Sequence, residues 1–241
     1  MEKVFFETLN NKKIFCYLAE VPDSKKIVIM SHGFRGTSTS PARTFVDFQR
    51  ILNKEGYSVL RFDQPNGGNS DGDYLETSFN EWVNTTTYFA KKYLGLGYQV
   101  ALLGQSMGGT TTIAAASSEE LEGKIPCVIL WVPGTNEGDV SADPNEIFEE
   151  AGQKYKAKFW NEAGKSDFFG RLAGYKGGVH LVYGEMDKYI SQENRVRAIK
   201  IVKDNGQDVM VLKGQDHSPW EFAVAQEVYK NEIEFLKKYF K

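Results

Sequence analysis

The sequence predicts an α/β fold: a mostly parallel sheet entered through an N-terminal antiparallel hairpin, helices on both faces, and a small inserted cap. Three observations carry that expectation. Short strands that are apolar throughout recur with helical stretches between them, as in parallel sheets covered on both sides. The first 20 residues instead alternate in strand fashion on either side of Leu9-Asn10-Asn11, as a hairpin does. One connection late in the chain is far longer than a crossover helix requires.

In chain order, VFFET (4–8) and KIFCYLAE (13–20) are the hairpin strands. From Lys26 the rhythm becomes apolar strand, glycine-bearing loop, helix. IVIMSHG (27–33) leads to a helix near Ala42–Glu55, and YSVLRFD (57–63) to one near Phe79–Leu94. YQVALLG (98–104) precedes a helix starting at Ser106, and IPCVILWV (125–132) is the next strand. GVHLVYG (178–184) then leads to a helix around Gln192–Lys203, and DVMVLKG (208–214) to a last helix over Pro219–Phe240.

The long connection interrupts this rhythm, and residues 133–176 are expected to form the cap within a single domain spanning 1–241. Asp143-Pro144-Asn145-Glu146 reads as a helix start, with an Asp N-cap, Pro at N1 and Glu at N3. Aromatics crowd the rest: Phe148, Tyr155, Phe159, Trp160, Phe168, Phe169 and Tyr175. Among them Tyr155 and Trp160, rings with a polar handle, are candidate substrate contacts.

Composition excludes several functions. Apolar residues at 41% and charged residues at 25% fit a globular chain large enough to need no disulfide or metal staple. A net charge of −3 with dispersed Lys and Arg argues against a nucleic-acid partner. The two cysteines, Cys16 and Cys127, sit in apolar strands without metal spacing and read as buried free thiols. With no signal-like start and no apolar run near the ~20 residues that span a bilayer, a cytoplasmic chain without membrane partners is expected. No cofactor or metal is expected, and homodimerisation is left open.

The chemistry concentrates in Gly104-Gln105-Ser106-Met107-Gly108, a G-x-S-x-G run between a predicted strand and a predicted helix. That context raises a serine hydroxyl on a sharp turn above the carboxyl edge of the sheet, at a helix N-terminus that favours developing negative charge. A serine nucleophile needs a base, and the chain has three histidines. His180 lies inside an apolar strand and reads as a core residue. His32 and His217 both follow strands, where the functional groups of open α/β sheets gather. His217 is the better base, because the chain order in this architecture is serine, acid, histidine. His32, in a loop beside the serine, is a candidate substrate contact. Asp187 in Gly184-Glu185-Met186-Asp187 is the preferred acid, with Glu185 as the alternative; Asp216, adjacent to His217, reads as a turn residue.

These pieces, HGF (32–34), RFDQPNGGNSDG (61–72), GQSMGG (104–109), YGEMD (183–187) and DHSP (216–219), resemble the α/β-hydrolase family over nearly the whole chain. Within it the chain is most similar to bacterial cinnamoyl and feruloyl esterases and to monoacylglycerol-lipase-like carboxylesterases. The resemblance implies a Ser106, Asp187, His217 triad, an oxyanion hole made by the backbone N–H groups of Phe34 and Met107, and a small-molecule ester as substrate. The chain departs from the family pattern at Gln105, where many relatives carry His, and at Gln64-Pro65-Asn66-Gly67-Gly68. A lipase, thioesterase or peptidase on the same scaffold, or a binding module that keeps only the pocket, are the alternatives.

Overall fold

The computed structural model describes residues 1–135, 141 and 143–240, so residues 136–140 and 142 of the expected cap lie outside the described residues. β1 (Glu2–Leu9) and β2 (Lys12–Ala19) pair antiparallel with Leu9 opposite Lys12. Asn10 and Asn11 between them take φ of 47° and 63°, the left-handed pair that a two-residue hairpin turn requires.

β3 (Lys26–Ser31), β4 (Ser58–Phe62), β5 (Gln99–Gln105) and β6 (Cys127–Trp131) follow in parallel. β7 (Ile147–Glu150) and β8 (Gln153–Lys156) form a separate hairpin. β9 (Gly178–Gly184) and β10 (Asp208–Leu212) complete an eight-stranded sheet of order β1-β2-β4-β3-β5-β6-β9-β10. β4, β6 and β9 are buried at every residue, which is why their sequences show no alternation.

The helices divide between the two faces. α1 (Thr44–Lys54) packs with α7 (Phe222–Tyr239). On the other face α2 (Phe79–Gly95), α3 (Met107–Ala116), α5 (Phe168–Gly174) and α6 (Gln192–Asp204) pack in succession. Right-handed crossovers dictate this: β3 to β4 moves one way along the sheet, and every later crossover moves the other. α4 (Lys158–Gly164) lies against α2. Cys16 and Cys127 are buried free thiols, and burial pushes Cys16 up to about 12. Among the described residues no helix is long and apolar enough to cross a membrane.

One expected helix is absent. Asp143-Pro144-Asn145-Glu146 forms a turn: Asp143 Oδ1 accepts from Asn145 N–H at 2.8 Å, and Asp143 O accepts from Glu146 N–H at 3.1 Å. The chain then runs into β7. An Asp side chain bonding two residues ahead, followed by a proline with helical φ, serves a turn as well as a helix cap. The pairing of β7 with β8 decided between them. Two helices also start later than expected: α1 follows a short 3-10 turn at Pro41–Arg43, and α7 begins at Phe222.

Five of the seven aromatics of 133–176 fall into two sets. Phe168 and Phe169 join the main core, with Tyr175 partly buried against it. Phe159 enters a smaller cluster with Phe79, Trp82 and Met107, against which Trp160 packs.

His180 is buried, as its strand implied, and it has a charged partner. Its Nδ1 lies 2.6 Å from Glu232 Oε2 on α7, while Glu232 Oε1 accepts from Trp131 Nε1–H at 2.7 Å. Burial opposes charge on the imidazole, but the Glu232 carboxylate outweighs it, and His180 is raised above its ordinary value of 6.5. A raised folded value means that this stabilisation is complete below the unfolded value and lost as pH rises through the folded one. Tm should therefore fall as pH rises from slightly acid to alkaline. Glu232→Gln is expected to cost about 3 kcal/mol or more at the acid end, the scale of breaking a buried pair, and to flatten that slope. An unchanged slope in thermal melts would remove Glu232 as its cause.

Candidate active site

The site begins at the turn from β5 to α3. Ser106 takes φ 54° and ψ −124°, a strained conformation for a residue with a Cβ. Its N–H donates to Trp131 O at 2.8 Å, and its carbonyl accepts from Gly109 N–H at 2.8 Å. The turn closes because two neighbours lack side chains. A Cβ on Gly108 would stand 2.0 Å from Ser31 O, and one on Gly104 would stand 2.1 Å from Gly108 O. The glycines flanking the serine therefore let β5, α3 and β3 approach closely enough to leave the serine at the apex.

Two loops bring the partners. After β9, Asp187 is buried, and its Oδ1 accepts backbone N–H groups from Tyr189 at 2.9 Å and Ile190 at 3.0 Å. Its Oδ2 is thereby left to His217 Nδ1, 2.8 Å away in the loop after β10. Glu185 points elsewhere, its exposed carboxylate accepting from Gly214 N–H at 2.9 Å. Asp216 ties the two loops together: Oδ1 accepts from Lys188 N–H at 3.1 Å and His217 N–H at 2.8 Å, and Oδ2 pairs with Lys188 Nζ at 2.8 Å. The Lys188 hydrogen bond, helped by these N–H groups, pulls the Asp216 carboxyl down to about 2.

Ser106 and His217 open into one cavity of about 360 Å³, which Phe34, Met107 and Trp160 also line. Phe34 belongs to a tight turn closed by Gly36 N–H to Gly33 O at 3.0 Å, and Tyr74 Oη receives Arg35 N–H at 2.7 Å. The Phe34 ring holds this turn against the aromatics of 133–176, with Phe159 at 4.7 Å, Trp160 at 4.8 Å and Tyr155 at 4.9 Å between ring centroids.

Two of the expected substrate contacts lie outside the lining of this cavity. Tyr155 is buried between Phe34 and Phe148 and does not line the cavity. His32 is buried beneath the loop. Gln64 N–H donates to its Nε2 at 2.9 Å, so the proton sits on Nδ1 and goes to Gly33 O at 2.8 Å. Burial lowers its proton affinity, and the neutral ring braces two loops. Of the three candidates only Trp160 reaches the cavity.

An alpha/beta hydrolase fold model matches residues 26–161, more than half of the chain. The chain belongs to the alpha/beta hydrolase fold family. No curated protein matches it in sequence. Among solved structures this alpha/beta hydrolase is similar to Est1E from Butyrivibrio proteoclasticus with ferulic acid bound, at 21% identity and TM-score 0.83 over 98% of each chain. It is also similar to a monoacylglycerol lipase from Paleococcus ferrophilus, at 19% identity and TM-score 0.77 over 94% of this chain and 99% of that one. An esterase from Pyrococcus furiosus superposes at 19% identity and TM-score 0.70 over 99% and 93%.

Three features of the hydrolase site escaped sequence reasoning. Gln105, noticed only as a departure from the family, is buried and bridges two cavity walls: Oε1 accepts from Ser40 Oγ, and Nε2 donates to Ser218 Oγ beside His217. Tyr189 stands exposed at the cavity with its ring 5.1 Å from that of His217. Arg35 pairs with Glu150 at 2.7 Å, linking the Phe34 turn to β7. No local pattern announces any of them, because each joins segments far apart in sequence.

Proposed function

We propose that this protein is a serine carboxylic ester hydrolase acting through an acyl-enzyme on hydroxycinnamoyl or short acyl esters. The observation that carries the reading is that Ser106 shares its cavity with His217, while Asp187 is hydrogen-bonded behind the imidazole. Asp187 holds the His217 proton on Nδ1, which leaves Nε2 to take the proton of Ser106 as Oγ attacks the ester carbonyl. The oxyanion is received by the N–H groups of Phe34 and Met107, each contributing roughly 3–4 kcal/mol to the transition state. His217 returns the proton to the leaving alkoxide, then activates the water that cleaves the acyl-enzyme.

The cavity walls support this choice of substrate class. A volume of about 360 Å³, with Phe34 and Trp160 beside the nucleophile, suits a flat aromatic acyl group. The ferulic acid held by Est1E, a protein of the same fold, supports this choice. Removing 133–176 would expose Phe79 and Trp82, which pack against Phe159, so a single side chain makes the better test. Trp160→Ala is expected to lower kcat/KM for ethyl ferulate roughly tenfold more than for p-nitrophenyl acetate, the scale of one aromatic contact. Equal losses on the two esters would remove Trp160 from acyl recognition, and no turnover of any ester by the unmodified protein would sink the function itself.

A further inference from the structure

β1 is one edge of the sheet, eight residues long and without proline, with Val4 and Phe6 60% and 52% exposed. Long apolar edges invite pairing with another strand, and proteins usually blunt them. The hydrogen bonding of the hairpin states which groups this edge offers. Met1 and Glu20 exchange both backbone hydrogen bonds, Glu20 N–H reaching Met1 O at 2.7 Å. Such pairs recur at every second residue of an antiparallel ladder. Lys3, Phe5 and Glu7 therefore direct their N–H and C=O groups to β2, opposite Leu18, Cys16 and Ile14. The far side of β2 agrees: Lys13 O and Phe15 O accept from Asp71 and Asp63 N–H. The backbone groups of Glu2, Val4, Phe6 and Thr8 thus point away from the sheet.

We propose that β1 pairs antiparallel with β1 of a second copy of this chain, about a two-fold axis through Phe5, joining the two sheets edge to edge. With the axis there, Val4 meets Phe6 of the second copy and Glu2 meets Thr8, so the residues with outward backbone groups meet one another in hydrogen-bonded pairs. Lys3 meets Glu7 of the second copy in the intervening pairs, twice by symmetry, with opposite charges on the same face. The neighbouring axes that keep outward groups paired pass through Val4 or Phe6. They set Lys3 or Glu7 against Phe5 of the second copy and lose both charge pairs. On the opposite face, Val4 and Phe6 become a continuous apolar strip, which the Phe6 to Phe15 edge contact at 5.8 Å extends onto β2.

Sedimentation velocity from micromolar to submillimolar concentration should show a species of twice the chain mass. Val4→Pro removes an outward N–H and places a ring where the second strand must lie, yet breaks no bond to β2. That variant should sediment as a monomer with an unchanged circular dichroism spectrum and unchanged hydrolysis of p-nitrophenyl acetate, if the unmodified protein hydrolyses it. Register is read by single cysteines: Phe5→Cys, on the axis, should form an intermolecular disulfide under mild oxidation, whereas Val4→Cys and Phe6→Cys should not. The three variants are made in a Cys16→Ala background, because Cys16 stands directly opposite position 5 on the same face, within disulfide reach of a cysteine there. Cys127 is buried and does not compete. A monomer at every concentration would leave the edge to some other chain and overturn the proposal. So would a dimer that survives Val4→Pro, or cross-linking through position 4 or 6 rather than 5. Should Val4→Pro misfold, the cross-linking pattern still decides.

Discussion

Ser106→Ala is expected to lower ester hydrolysis by roughly 10⁴- to 10⁶-fold while leaving the protein folded. The two halves of that result have separate causes. Activity falls because the hydroxyl is the attacking atom, and only oxyanion stabilisation and substrate binding remain without it. The fold survives because alanine keeps the Cβ, so the backbone at φ 54° bears the strain it already had. The turn is held by backbone bonds to Trp131 and Gly109 that alanine preserves. Turnover near that of the unmodified protein, with an unchanged melting curve, would sink the assignment. An organophosphonate should in addition label Ser106 and no other serine, read by mass spectrometry of the digested protein.

Asp187→Asn should reduce kcat by about 10⁴-fold, and the hydrogen bonds around the carboxylate explain why. Oδ1 accepts two backbone N–H groups, from Tyr189 and Ile190, and only an oxygen can do so. An asparagine must therefore keep its oxygen there and turn its NH₂ toward His217 Nδ1. The imidazole then accepts at Nδ1 and carries its proton on Nε2, where it cannot take the proton of Ser106. The fold should persist, because both backbone bonds are kept. Glu185→Gln should have little effect, since among the described residues Glu185 Oε2 accepts from Gly214 N–H on the exposed side of the loop, away from His217. Steady-state kinetics of the two variants decide the matter, and the reverse order of effects would move the acid role to Glu185.

Both expectations rest on residues that the sequence already singled out, and the reason is local. A strand-to-helix turn with glycines at 104 and 108 is encoded within a few residues, because only glycine tolerates backbone contacts as close as those to Ser31 and Gly108 itself. The acid and the base follow apolar strands, and the topology of a parallel sheet carries the carboxyl ends of all such strands to one edge. His180 was legible as a core residue because its strand neighbours are apolar on both sides. Its Glu232 partner, on a helix 52 positions later, was not.

By itself, the sequence determined the strand and helix order outside residues 133–176, the antiparallel start, the glycine-framed serine and the three groups proposed for catalysis. Each of these depends on backbone preferences and periodicity that act over a few residues. The tertiary structure alone decided which histidine braces and which faces the cavity, and that Trp160 rather than Tyr155 lines it. It also decided that Asp143-Pro144-Asn145-Glu146 turns into a strand rather than a helix. Those outcomes depend on what packs against a side chain from remote segments: Gln64 against His32, Phe34 against Tyr155, β8 against β7. Short-range propensity is the same for either alternative, so the contact energy of the folded chain makes the choice.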